Sequence, residues 1–136
     1  MKHLFITILS TFALLVSAEA QFKKHPEISE KKREVAALAT LKSTPGTVLI
    51  YARGMCCDSC GIGIRKKLQK LEFVDTGRFN KGIALDAKTQ LVTVAMKKGA
   101  SVDVEAIKKA VKAAGYDPVK LYQLTGNRLK STQLEK

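Results

Sequence analysis

The sequence lacks tryptophan and contains few histidines, prolines and cysteines. Its 136 residues include two histidines, three prolines and three cysteines. A closed structural zinc site takes four cysteine or histidine ligands. The two histidines are His3 and His25, and both lie far from the cysteines in sequence. A structural zinc site is therefore disfavoured.

Acidic residues are also scarce, since 12 aspartates and glutamates stand against 24 lysines and arginines. The formal net charge is +12. Such a charge favours anionic partners such as acidic proteins, lipid headgroups or nucleic acid. The basic residues are spread along the chain rather than gathered in one block, so a solvated basic surface is the favoured interpretation.

The apolar run Leu4–Val16 is shorter than the about 20 residues that a membrane-spanning helix needs. It follows a short basic start and precedes Ser17-Ala-Glu-Ala20. This three-part pattern is typical of a secretory signal peptide cleaved after Ala20, and an N-terminal membrane anchor is the alternative. We expect an exported protein, periplasmic or secreted, that starts at Gln21 and has no stable membrane insertion. Export also disfavours nucleic acid as a partner.

All three cysteines lie within five residues, at Cys56, Cys57 and Cys60. Exported proteins tend to pair their thiols as disulfides, but an odd number leaves one thiol over. A disulfide between Cys57 and Cys60 would close a very short loop and restrict the unfolded chain little, so a stapling role is disfavoured. Two thiolates at C-x-x-C spacing without neighbouring histidines form a soft pair suited to Cu(I) and similar ions.

Hydrophobic periodicity predicts one regular domain between two polar extensions. Residues 21–45 form a polar N-terminal extension, in which Ser29–Lys42 has the periodicity of a short helix. Residues 46–124 form the domain, and residues 125–136 form a polar tail that we expect to be mobile.

Within the domain the pattern predicts the order strand, helix, strand, strand, helix, strand. This order is typical of an α+β, ferredoxin-like βαββαβ fold, in which a four-stranded antiparallel sheet carries two helices on one face. Pro118 places the last strand at a sheet edge. The predicted strands cover residues 47–53, 83–85, 91–96 and 117–124, and Ser101 or Asp103 caps the second helix.

The other face of the predicted sheet is apolar as well. If Val48, Ile50 and Ala52 face the helices, alternation places Leu49 and Tyr51 on the opposite side. In the N-terminal extension, Val35, Leu38 and Leu41 recur at threes. We therefore expect the Val35–Leu41 segment to cover that opposite face.

The stretch Gly54-Met-Cys-Cys-Asp-Ser-Cys60 matches the G-M-x-C-x-x-C signature of the heavy-metal-associated domain family. Residues 46–124 resemble this family, which includes small copper chaperones, exported mercury-binding proteins and domains of metal-pumping ATPases. The resemblance implies the βαββαβ fold and metal ligands at Cys57 and Cys60. It also implies that Gly54, Met55 and Tyr116 support the site, Met55 as a buried hinge and Tyr116 by packing beside the loop.

Cys56 stands where the family usually has Thr, Ser or His. It is either a small residue that fills this place or a third thiolate ligand. Neighbouring residues of an extended chain point to opposite sides, which favours the first interpretation. For Met55, a buried apolar anchor is favoured over a thioether ligand.

The sequence predicts a protein without enzymatic activity, a metallochaperone or scavenger that passes a soft ion on by ligand exchange. Cu(I) is the preferred ion, and Hg(II) and Zn(II) are alternatives. The expected partner is a metal-transporting membrane protein or another metal-binding domain. A thiol–disulfide redox protein and a basic interaction module with oxidised cysteines stay open. The redox alternative is weakened because thioredoxin-like motifs usually have Trp before and Pro inside the C-x-x-C, and this chain has neither there.

Overall fold

The computed structural model describes residues 27–57 and 59–135. The predicted signal peptide, residues 1–20, lies outside the described residues. Within the described part, no helix has the length and apolar character needed to cross a membrane. The elements are α1 Glu30–Ser43, β1 Thr47–Arg53, α2 Ile62–Leu68, β2 Ile83–Asp86, β3 Leu91–Ala95, α3 Val104–Ala113, β4 Asp117–Thr125 and β5 Arg128–Gln133.

The strands form one antiparallel sheet in the order β2-β3-β1-β4-β5. The α+β class and the antiparallel sheet are therefore confirmed. The prediction of four strands is wrong, because β5 pairs with β4. The two helices predicted on one face of the domain are α2 and α3, and the helix predicted in the N-terminal extension is α1, which packs on the opposite face.

Residues 125–136 were expected to be a mobile tail, and the structure corrects this. Thr125 pairs with Arg128 across a two-residue turn, and Gly126 in that turn has a φ of +59°. A glycine followed by asparagine is a common hairpin connection, because such turns need positive φ. Leu134, just beyond β5, is buried in the core. The tail therefore continues the sheet.

β4 is not an edge strand, which corrects the inference from Pro118. It lies between β1 and β5. Pro118 pairs with Ala52 beyond a shift in the β1–β4 register, while the pairing with β5 starts only at Lys120. Proline has no backbone N–H to donate. It fits at such a bulge because the regular ladder of hydrogen bonds is interrupted there and needs no donor.

The inner face of the sheet packs against α2 and α3. Its core joins alternate residues of β1 to Ile64 and Leu68 of α2 and to Ile107 and Val111 of α3. Asp103 caps α3, since its side chain accepts a hydrogen bond from the Ala106 backbone N–H at 2.9 Å. This layer fixes the position at which β1 ends and α2 begins.

The outer face is covered by α1, as the sequence predicted. Ala37 and Leu41 pack on a second cluster that contains Leu49 and Tyr51 of β1. The expected role of Val35 is wrong, because its side chain is 63% exposed. The buried positions of α1 recur at fours rather than threes, and they are Arg33, Ala37 and Leu41.

Arg33 is one of two buried charged residues among the described residues, the other being Lys120, and only 4% of Arg33 is exposed. Its guanidinium lies 3.6 Å from the centre of the Tyr51 ring. Its Nε donates a 2.9 Å hydrogen bond to the carbonyl oxygen of Thr89 in the β2–β3 turn. It also forms an ion pair with Glu27. Arg33 thus connects α1 to β1 and to the turn before β3.

Candidate metal centre

The cysteine loop, residues 54–61, connects β1 to α2, and its beginning is fixed by Gly54 and Met55. Gly54 has a φ of +96°, a conformation that residues with a side chain rarely adopt. Met55 is fully buried and belongs to the inner core. The loop therefore has a buried anchor next to its partly exposed cysteines, and Met55 lies in the core rather than in the sulfur cluster.

The sulfur atoms of Cys56, Cys57 and Cys60 all lie within 4.8 Å of one another, and all three residues are half-buried. Cys57 and Cys60 form a disulfide, and Cys56 is a free thiol. The alternation argument against convergence of Cys56 does not apply, because the chain bends at Cys57 instead of running on as a strand. Within the described residues, no histidine or carboxylate joins this cluster.

The sulfur of Cys57 accepts two hydrogen bonds from the loop itself. The backbone N–H of Cys60 donates to it at 3.3 Å, and the Ser59 hydroxyl lies 3.4 Å away. A disulfide sulfur carries no proton, so the hydroxyl is the donor. Donors directed at a sulfur stabilise its thiolate once the disulfide is opened. The sequence did not indicate this hydrogen bond from Ser59 to the Cys57 sulfur.

Close packing fixes the end of the loop at Gly61. A Cβ built on Gly61 would lie 2.4 Å from Cδ1 of Leu85 on β2. Only glycine fits this contact without movement of Leu85. The C-x-x-C pattern could not predict this contact, because Leu85 lies far from Gly61 in sequence.

Tyr116, which directly precedes β4, contacts the cysteine loop. Its hydroxyl donates a 2.6 Å hydrogen bond to the carbonyl oxygen of Cys60. Burial raises the pKa of the Tyr116 hydroxyl, and the negative charge of a Cys56 thiolate raises it further. The hydroxyl therefore stays protonated and acts as a hydrogen-bond donor at neutral pH.

The charge of Arg53, directly before the loop, is already partnered. Its guanidinium donates to both carboxylate oxygens of Glu135, at 2.7 Å and 3.1 Å. This pair joins the end of β1 to the segment after β5. The pairing with Glu135 therefore reduces the positive charge that Arg53 contributes near the thiols.

The arrangement has two chemical states that differ by two electrons. In the oxidised state described here, Cys56 supplies the free thiol of the cluster. After reduction, three thiols lie in one small, partly exposed group. Such an all-sulfur set suits thiophilic ions and poorly suits hard ions such as Mg²⁺ or Ca²⁺, which prefer oxygen ligands.

Comparison with known families gives a match to the heavy-metal-associated domain over residues 49–117, which is about half of the chain. The matched segment runs from β1 through the cysteine loop to the start of β4. No curated protein and no solved structure gives a significant match.

Proposed function

The chain belongs to the heavy-metal-associated domain family, and on this premise we propose that its reduced cysteine loop binds one soft metal ion. Cys57 and Cys60 are the ligand pair, and Cys56 is the third thiolate. The observation that carries this proposal is the convergence of the three sulfur atoms to within 4.8 Å. The ferredoxin-like βαββαβ unit is the part of the fold that presents them, with α1 and β5 as additions.

The spacing of the sulfurs supports three-coordinate binding. With a metal–sulfur bond of about 2.3 Å, three sulfurs placed evenly around one ion lie about 4 Å apart. The observed separations, all within 4.8 Å, are compatible with this spacing once reduction lets the bonded sulfurs of Cys57 and Cys60 move apart. Thiolate ligands favour Cu(I) first, with Hg(II) and Zn(II) as the alternatives.

We propose that the ion is cargo rather than a catalytic cofactor, and that the protein is an exported chaperone or scavenger. A thiolate of the partner attacks the bound ion, and a thiolate of this loop leaves. The partner is a metal-transporting membrane protein or another metal-binding domain. The half-buried sulfurs support such an exchange, because an incoming thiolate can reach them.

Metal titration tests the proposal directly. The purified protein is fully reduced and titrated with Cu(I), Hg(II) and Zn(II) in competition with chelators, and the thiols protected from alkylation are counted. We expect one ion per chain and three protected thiols. Cys56→Ser should retain an ion with two protected thiols, and Cys57→Ser and Cys60→Ser should bind far more weakly.

Two results would separate parts of this proposal. Protection of only two thiols in the wild type would remove Cys56 from the ligand set and leave the pair. Absence of any competitive binding by the reduced protein would reject the metal-binding function. Gly63→Ala is the matched control, because it changes α2 close to the loop without removing a sulfur or a hydrogen bond to one.

The Cys57–Cys60 disulfide favours thiol–disulfide exchange with other molecules as a second candidate function. In that case the reduced protein would reduce a model disulfide such as oxidised glutathione in a reaction that requires Cys57 and Cys60. A rate no greater than that of an unfolded peptide containing the same loop would dismiss this candidate.

A further inference from the structure

We propose that Cys56 is an internal nucleophile toward the Cys57–Cys60 disulfide, so that the oxidised loop interconverts between two disulfide isomers. The second isomer joins Cys56 to Cys60 and leaves Cys57 free. The inference rests on the proposed function only in treating the same three sulfurs as the metal-binding group. It concerns the oxidised state, in which that group is closed.

The geometry places the nucleophile and its target together. The free thiol of Cys56 lies within 4.8 Å of both sulfurs of the disulfide. Thiol–disulfide exchange needs a thiolate that can approach a disulfide sulfur. All three side chains are half-buried rather than enclosed, so small rotations of the Cys56 side chain are not blocked by a packed core.

The surroundings of Cys57 select the direction of exchange. Attack on Cys57 would form a disulfide between adjacent residues, in a strained small ring. Attack on Cys60 forms a wider ring and makes Cys57 the leaving group. The Cys57 sulfur accepts hydrogen bonds from the Cys60 N–H and the Ser59 hydroxyl, which stabilise the departing thiolate and lower the barrier to its departure.

The step involves no net oxidation or reduction. The Cys56 thiol loses its proton to water, and its sulfur forms a bond to the sulfur of Cys60. The bond between Cys57 and Cys60 breaks, and its electron pair stays on Cys57. The Cys57 thiolate then takes up a proton or remains charged, so one disulfide and one thiol are present before and after.

The exchange decides which cysteine of the closed site presents the free thiol. Oxidation closes the three-sulfur site but leaves one thiol, which alternates between Cys56 and Cys57. Full opening needs two electrons from an external dithiol. An oxidised protein without Cys56 has no free thiol in the loop at all, since Cys57 and Cys60 are then both consumed.

Mapping the free thiol of the oxidised protein tests the inference. The metal-free oxidised protein is incubated, quenched with a maleimide and proteolysed, and fragment mass spectrometry locates the label. We expect label on both Cys56 and Cys57 in the wild type. Cys56→Ser should take no label, and Cys57→Ser should form the Cys56–Cys60 disulfide on oxidation. Ser59→Ala should shift label away from Cys57, because one donor to its thiolate is lost.

Two outcomes would overturn the exchange. One is wild-type label confined to Cys56 after prolonged incubation, and the other is a Cys57→Ser protein that keeps two free thiols under oxidising conditions. The result is independent of metal binding by the reduced protein. Thiol protection by Cu(I) together with label only on Cys56 would reject the exchange alone. Label on both Cys56 and Cys57 without thiol protection by Cu(I) would reject the metal site alone.

Discussion

Tyr116 contacts Cys60 through a 2.6 Å hydrogen bond from its phenolic hydroxyl to the Cys60 carbonyl oxygen. The ring of the same residue lies against Gly54, where an added Cβ would be 3.6 Å from Tyr116 Cδ1. Gly54 begins the cysteine loop and Cys60 lies near its end. One side chain from the turn before β4 therefore touches both ends of the loop and fixes its span.

Tyr116→Phe should destabilise the protein by about 1 kcal/mol, because it removes this hydrogen bond and keeps the ring. The change is measured by denaturant unfolding of the oxidised protein at neutral pH. Hydrogen exchange should become faster in the cysteine loop and stay unchanged in α1. Unchanged stability together with unchanged loop exchange would contradict the proposed role of the hydroxyl.

Tyr122→Phe is the matched variant with the opposite expectation. Tyr122 is fully buried, and its hydroxyl has no hydrogen-bond partner within the described residues. A buried donor without a partner costs free energy, so its removal should leave stability unchanged or raise it by up to about 1 kcal/mol. The same unfolding measurement decides, and a loss comparable to that of Tyr116→Phe would show that the Tyr122 hydroxyl is bonded in solution.

Local patterns predicted the elements that form the inner layer. Thr47–Arg53 is a run of β-branched and apolar residues, and β1 has those bounds. Asp103 was one of two predicted caps for the second helix, and it is the N-cap of α3. These features depend on residues a few positions apart, which a sequence pattern contains. The convergence of Cys56 depends instead on a bend in the loop, which alternation along an extended chain does not describe.

The outer layer was predicted less well because its contacts join distant parts of the chain. Charged residues are rarely buried without partners, so the pattern favoured Val35 over Arg33 as a buried position. Arg33 is buried because Tyr51 and Thr89 provide its contacts, and neither lies near it in sequence. β5 had a local signal in Gly126-Asn127, but its polar strand residues resemble those of a tail.

Gly61→Ala should destabilise the protein by about 1–3 kcal/mol, because the added methyl group would overlap Leu85. The backbone of Gly61 is in the ordinary right-handed region, so the cost comes from packing. In the Leu85→Ala background the same change should cost much less.

Gly63→Ala is the control for Gly61→Ala, since its Cβ would meet no atom closer than 3.9 Å. It should stabilise α2 by up to about 1 kcal/mol. Equal costs for Gly61→Ala in both backgrounds, measured by thermal unfolding, would reject the contact.

Arg33→Ala should cost about 2 kcal/mol, because it removes a buried charged donor and the stacking on Tyr51. Val35→Ala on the same helix should change stability by less than about 0.5 kcal/mol, since Val35 is exposed. Hydrogen exchange of α1 should rise strongly only in the Arg33 variant. Equal effects of the two substitutions would mean that α1 does not dock in the register described.

High pH should destabilise the wild type relative to Tyr122→Phe. Burial is the main cause that raises the pKa of the Tyr122 hydroxyl, and Glu34 and Tyr51 raise it further while Arg33 lowers it. An unfolded tyrosine titrates near pH 10, so its loss of a proton favours the unfolded state from about that pH upward. The folded form keeps its proton to higher pH. The stability that this difference provides is therefore complete below about pH 10 and is lost as the pH rises toward the folded pKa.

The lysines and Tyr116 are common to both proteins, so the difference between their unfolding free energies isolates Tyr122. Denaturant unfolding from pH 8 to pH 11 should give curves that diverge above about pH 10, with the wild type falling faster, whereas parallel curves would show that the Tyr122 hydroxyl is open to water.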